Sequence, residues 1–260
     1  MDLLTILLSS LLSALSPMGL ILDETLEGTI RDRFEEVEAL QVRIDNAPSH
    51  QILAGKVERV RVAGRGLWLP PLIEGGDNDR PSLRIALLEV ETDPIDLDLD
   101  RLNDGIEALE KPLQAGIRLV LEEEDLDRAL SSGTASAEVP TFEMGDYSII
   151  APQIDFTDEN RVQVQVAVRQ KGDRESLSVA IESGLQVRQG RYLEFVEPSI
   201  SVNGEEAAPE ILVGILGAAG QWDLDRLTPP GTIVRLLRWH LTPDGLDVAA
   251  FVSIDNGQSR

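Results

Sequence analysis

The side chains best placed to do chemistry are carboxylates. Asp96, Asp98, Asp100, Asp104 and Glu107 fall at the first, third, fifth, ninth and twelfth positions of a calcium-loop template. Such a loop converges its oxygens because glycine at the sixth position permits a sharp turn, and Arg101 stands there instead. Ile95, Leu97 and Leu99 interleave with the acids, which holds the segment extended and splays the carboxylates along a strand. No metal site is expected from it.

Other chemistry is equally thin. His50 and His240 lie far apart, and neither an H-E-x-x-H nor a G-x-S-x-G pattern occurs. A Ser-His-Asp site would have to be assembled from distant segments. The chain has no cysteine, hence no thiolate nucleophile, Cys-ligated zinc or iron–sulfur cluster. Gly214, Gly217 and Gly220 lack the preceding strand and the spacing of a nucleotide loop. No catalytic residue and no cofactor is expected.

Lys56, Arg59, Arg61 and Arg65 form the one basic cluster, and the three arginines share a face of one extended segment. Guanidinium forks suit a phosphate or an anionic headgroup. Pairing with an acidic row such as Asp96 and Asp98 is the competing reading, and it is favoured by the acidic excess. Forty-six acidic against 23 basic residues give a net charge of −23. That field repels nucleic acid and gives no long-range attraction to an anionic membrane.

The elements that must position these groups are mostly strands. Val162, Val164, Val166 and Val168 alternate with polar residues, and Val60 and Val62 alternate with Arg59 and Arg61. Period-two segments have one apolar and one wet face. Further extended runs cover Val42–Ile44, Leu83–Leu99, Ile117–Leu121, Tyr147–Phe156, Leu177–Ile181, Leu185–Val187 and the run through Phe195 to Val202. Thr242-Pro243-Asp244-Gly245 joins Ile233–Leu241 to Leu246–Val252 as a hairpin.

Helical spacing occurs in three places. Leu26, Ile30, Phe34, Val37 and Leu40 predict an amphipathic helix from Asp23 to Leu40. A short helix opens at Glu122–Asp125, and another is expected over Pro209–Leu227. Leu3–Leu22 carries no charge and just reaches the roughly 20 residues that span a bilayer. It reads as an interfacial helix, a packed first helix, or a leader or anchor. Residues 131–140 form a polar linker inside a single domain of residues 23–255, and 256–260 a polar tail. The fold class expected is α+β, with antiparallel strands curled around the long helix.

The order of these segments resembles the bacterial LmeA-like family of phospholipid-binding proteins. The resemblance is carried by Leu40-Gln-Val-Arg-Ile-Asp-Asn-Ala-Pro, Gly55-Lys-Val-Glu-Arg-Val-Arg-Val-Ala-Gly-Arg-Gly, Glu91-Thr-Asp-Pro-Ile-Asp-Leu-Asp-Leu, Pro112-Leu-Gln-Ala-Gly, Leu121-Glu-Glu-Glu-Asp-Leu-Asp-Arg-Ala-Leu, Leu227-Thr-Pro-Pro-Gly-Thr and Asp244-Gly-Leu-Asp-Val. It implies an elongated, tubular fold in which curved antiparallel strands wrap a long helix around an apolar groove. It also implies non-enzymatic binding of phospholipid or a similar lipid at or near a membrane.

The groove is expected along Leu97, Leu99, Ile117, Leu119, Val164, Val166, Val179 and Ile181, faced by Ile30, Phe34 and Val37. Arg59, Arg61 and Arg65 are the headgroup candidates. The expected partners are a lipid and a membrane surface reached through Leu3–Leu22, with a membrane-associated or envelope location; the alternative location is cytoplasmic. The competing function is a scaffold whose core is filled, followed by a hydrolase with a dispersed site. Nothing in the sequence sets an oligomeric state.

Overall fold

The computed structural model describes residues 23–46, 49–69, 83–131, 143–144, 147–157, 160–170, 176–207 and 221–255. Leu3–Leu22, residues 70–82, residues 132–140 of the linker, Gly214, Gly217, Gly220 and the tail lie outside the described residues.

The strands are β1 (Glu36–Asp45), β2 (Lys56–Val57), β3 (Arg59–Trp68), β4 (Arg84–Thr92), β5 (Ile95–Asp96), β6 (Leu113–Glu122), β7 (Glu143–Met144), β8 (Tyr147–Thr157), β9 (Arg161–Gln170), β10 (Ser176–Arg188), β11 (Tyr192–Val202), β12 (Glu205–Glu206), β13 (Gln221–Asp223), β14 (Thr232–Thr242) and β15 (Gly245–Ile254). Among the described residues the α-helices are α1 (Asp23–Arg31), α2 (Glu123–Ser131) and the single turn α3 (Leu224–Leu227). Six strands form one sheet in the order β1-β3-β4-β6-β15-β14. Seven form another, β12-β11-β10-β9-β8-β7 with β13 also on β11, and β2 pairs with β5 alone. The pairings in both sheets are antiparallel.

The expected α+β architecture around a long helix is overturned. Helix α1 ends at Arg31, and Glu36–Asp45 is a strand. Phe34 N–H closes a tight turn on Arg31 O at 3.0 Å, and Glu35 N–H then donates to Trp68 O at 2.9 Å, which starts the ladder with β3. The helical spacing of Val37 and Leu40 has a strand cause. Gly66 sits at φ 56, a conformation glycine reaches without steric cost. It turns β3 so that Leu67 lies over Gly64, with its Cδ1 only 2.7 Å from where a Gly64 Cβ would stand. Val37 pairs with Leu67, and Leu40 pairs with Gly64. Residues of opposite parity on β1 therefore both reach the core, and three-residue spacing results.

Elsewhere alternation behaves as a strand pattern should. Val60, Val62, Leu88 and Val252 point inward from the six-stranded sheet with exposures of 1%, 6%, 0% and 3%. Ile30, Phe34, Leu97 and Leu109 close the same core. The outer face carries cross-strand charge rows, in which Arg43, Arg61 and Glu91 stand in register, as do Glu89 and Arg118. Leu99 opens a 3₁₀ helix, Leu99–Ala108, instead of extending the strand; the Asp98 side chain caps it by accepting from Asp100 N–H at 3.0 Å. Residues 221–223, expected inside a helix, form β13.

The two sheets meet along α2 and β14. Helix α2 packs on β8, with Asp125 buried against Arg84 at 3.0 Å. The free edge of β14 faces two turns of the second sheet. Leu236 N–H donates to Gly190 O at 2.6 Å, and Leu241 N–H donates to Asn160 Oδ1 at 2.7 Å. Arg191 grips Asp223 with two bonds of 2.7 Å and reaches Asp225 at 3.0 Å, while Arg235 holds Asp225 at 2.6 Å. Together these bonds fix the position of the second sheet's turns on the first sheet.

Candidate functional site

An aliphatic ladder crosses the second sheet. Ile154 on β8, Val164 on β9, Ile181 on β10 and Ile200 on β11 stand in one cross-strand row. Val166, Val179 and Val202 form the next row, and Val168 with Leu177 the one after. The β-branched side chains pack well on a pleated face. The opposite face is polar: Gln163 and Gln165 stand beside Asp155, Glu182, Ala180, Ser199 and Ser201, and Arg161 pairs with Glu182 at 2.7 Å.

Burial separates this ladder from the first sheet's. Val164, Val166, Val179 and Ile181 are all half-buried, whereas Val62 and Leu88 are sealed. Exposure also rises along β10. Ser183 is 1% exposed, Ile181 and Val179 are intermediate, and Leu177 is 49% exposed. At the more buried end the Ser183 hydroxyl donates to Gly184 O at 2.8 Å and lies 3.2 Å from Val196 O. The apolar strip is thus more exposed toward Leu177 than toward Ser183.

The remaining groove candidates lie in or against the first sheet's core. Ile30, Phe34 and Leu97 are buried there, and Val37, Ile117 and Leu119 are partly buried against it. Leu99 is 38% exposed on the 3₁₀ helix. Ile117 and Leu119 sit on the β6 side, where the inner face thins toward β14; Leu236, Trp239 and Val248 there are also half-buried. The structure therefore sorts the candidates into a packed group and an open group. Ile154, Val202 and Leu177 belong with the open group, while Ile200 in the same row as Ile154 is buried at 4%; all four escaped notice because register, not alternation, joins them to the ladder.

Arg59, Arg61 and Arg65 line the outer face of β3. Arg59 pairs with Glu91 at 3.0 Å, and Arg61 pairs with Asp45. Arg65 stands between Ala39 and Leu87. Asp96 pairs with Lys111 instead of the arginines. A trough of ≈ 610 Å³ opens on this face, walled by Arg43, Arg61, Glu89, Glu91 and Arg118 over Ala63 and Gly116.

Electrostatic perturbations arise from these pairs. The Arg118 hydrogen bond holds the Asp247 carboxyl below its usual range against the opposing effect of burial. Arg61 lowers Asp45, and Arg191 lowers Asp223, in the same way. Each shift fixes a charge already present at neutral pH; none poises an acid or base near neutrality. Among the described residues no three His, Cys, Asp or Glu side chains are grouped to hold a metal ion. No helix among them is long and apolar enough to cross a membrane.

No curated protein and no solved structure matches the chain. The family model for LmeA-like phospholipid-binding proteins matches residues 14–251, which take in both sheets up to Phe251 of β15. The chain belongs to the LmeA-like phospholipid-binding family.

Proposed function

We propose that this protein binds phospholipid without catalysis, laying acyl chain against the aliphatic ladder of β8–β11. The observation that carries the reading is the incomplete burial of Val164, Val166, Val179 and Ile181, in contrast to first-sheet positions such as Val62 and Leu88 that are sealed. Aliphatic surface left partly exposed is available to another apolar body, and each buried methylene contributes about 0.8 kcal/mol. Ten methylenes along the strip contribute about 8 kcal/mol before association costs. Low aromatic content, 4%, suits a smooth aliphatic surface that accepts chains of varied length.

The test is uptake from phosphatidylcholine vesicles followed by native mass spectrometry. Wild type carries lipid, and a Val166→Thr/Val179→Thr double variant, which keeps shape but adds two hydroxyls, carries several-fold less. Equal uptake by both forms sinks the ladder as the site. Absence of uptake by wild type leaves a protein with a filled scaffold role.

Membrane engagement through Leu3–Leu22 belongs to the same proposal. Apolar insertion must drive it, because a charge of −23 opposes attraction to anionic headgroups. Flotation of the full chain with vesicles, compared with a form beginning at Asp23, decides it: loss on truncation supports insertion, and equal flotation removes it.

A further inference from the structure

Trp239 carries a buried donor with nothing to bond. Its indole Nε1 is shielded from solvent and has no hydrogen-bond partner. A buried N–H without an acceptor is rare in folded proteins and calls for a specific explanation. The residue stands on β14 opposite Val248, which pairs with Leu119, which pairs with Leu88. That row is aliphatic, so it offers no side-chain acceptor. It runs from the sealed core at Leu88 to the half-buried margin at Trp239.

The position along β14 is equally specific. Leu236 and Leu241, on either side of Trp239, are the residues tied to Gly190 and Asn160 at the turns of the second sheet. The register slips between Leu236 and Arg238, a bulge of the kind that re-aims neighbouring side chains. Trp239 therefore sits at the seam between the sheets, at the margin of the aliphatic core and next to the turns that flank the ladder.

We infer that Trp239 Nε1 donates to an acyl-ester carbonyl oxygen of the bound lipid and so holds the glycerol end at the seam between the sheets. This rests on the lipid-binding reading above. The acceptor must travel on an apolar body, because its surroundings are aliphatic. A neutral carbonyl fits better than a phosphate, since Arg235 and Arg238, the cations flanking Trp239 on its strand, pair with Asp225 and Asp247. A charged oxygen would enter a low-dielectric site with no cation to spare.

The experiment compares dimyristoyl-phosphatidylcholine with its dialkyl ether analogue, which keeps headgroup and chain length and lacks both carbonyls. Full-length wild type is expected to bind the ester lipid about tenfold tighter, the size of one neutral hydrogen bond. Trp239→Phe keeps the ring and loses the donor; it is expected to bind both lipids alike, near the wild-type affinity for the ether. In wild type labelled with ¹⁵N-tryptophan, one indole N–H resonance, absent from the Trp239→Phe spectrum, shifts downfield with ester lipid and stays with ether. Should the variant fail to fold, the wild-type affinities and the response of the indole N–H resonances decide alone. Equal affinities in wild type, or discrimination surviving in Trp239→Phe, overturn the ester contact while leaving lipid binding intact. Binding of neither lipid overturns both.

Discussion

Glu123 Oε1 accepts the backbone N–H of Phe156 at 3.0 Å, so a helix side chain occupies the place a neighbouring strand would take. One turn further on, Asp127 Oδ1 accepts from Ile154 N–H at 3.3 Å. Carboxylates four residues apart on a helix lie about 6 Å apart along its axis, and strand residues two apart repeat at about 6.8 Å. The near match lets α2 cap two successive edge donors of β8.

Removing the cap should be measurable. Glu123→Ala and Asp127→Ala each leave a part-buried N–H unpaired and should lower stability by about 1 kcal/mol in urea unfolding. Glu123→Gln keeps an acceptor and should stay near wild type. Amide exchange at Phe156 and Ile154 should speed up in the matching alanine variant, and unchanged exchange would show that the cap is idle.

Acid should unfold the protein through its paired aspartates. Asp247, Asp45 and Asp223 are held below the ordinary carboxylate range by Arg118, Arg61 and Arg191 respectively. Their stabilisation is present above the unfolded-state value, about 3.9, and is lost as pH falls through the lower folded values. Urea midpoints should hold steady from neutrality to about pH 5 and drop below about pH 4. Asp247→Asn should flatten that acid slope; an unchanged slope in this variant would remove Asp247 from the account.

Gly66→Ala should cost about 1–3 kcal/mol. The cost combines a positive φ with a Cβ directed into the Glu38 side chain. Pairing the change with Glu38→Ala relieves the contact but not the backbone, so only part of the loss should return. Full recovery would place the whole effect in the side-chain clash.

Leu88→Ala and Val166→Thr should behave oppositely in two assays. Leu88 is 0% exposed, and its truncation should cost about 2–5 kcal/mol through a cavity. Val166 is half-buried; its change should cost about 1 kcal/mol or less while reducing lipid uptake. A Val166→Thr protein that loses stability like Leu88→Ala and keeps its lipid would mark the ladder as ordinary core.

Much of this was legible in the residues, for identifiable reasons. Thr242-Pro243-Asp244-Gly245 makes the β14–β15 turn, and the valines of 162–168 make β9. The acidic run at Glu123 opens α2. Local chemistry suffices for such features. The strand at 36–45 was hidden because its inward positions change parity where Gly66 turns its partner, and a twist in one strand cannot be read from another. The partners of Arg59 and Arg61 were hidden likewise: Glu91 and Asp45 reach them through long-range register. At the candidate site, alternation showed which valines share a face. The division into a sealed and an open ladder depends on which sheet each strand joins, and no periodicity records that.

The six-stranded sheet draws its strands from both ends of the described chain. Strand β6 waits for β15, pairing Glu122 with Gly245 and Leu113 with Ile254, while β8, β9, β10 and β11 pair with one another in sequence order. Loop-closure entropy makes the distant pairing the late event and the meander the early one. On the ribosome the second sheet can therefore assemble while the edge of β6 is still bare. The hairpin Thr232–Ile254 is then the clasp that finishes the molecule. A chain cut short before Gly245 would keep its meander and expose a long, unpaired strand edge to aggregation.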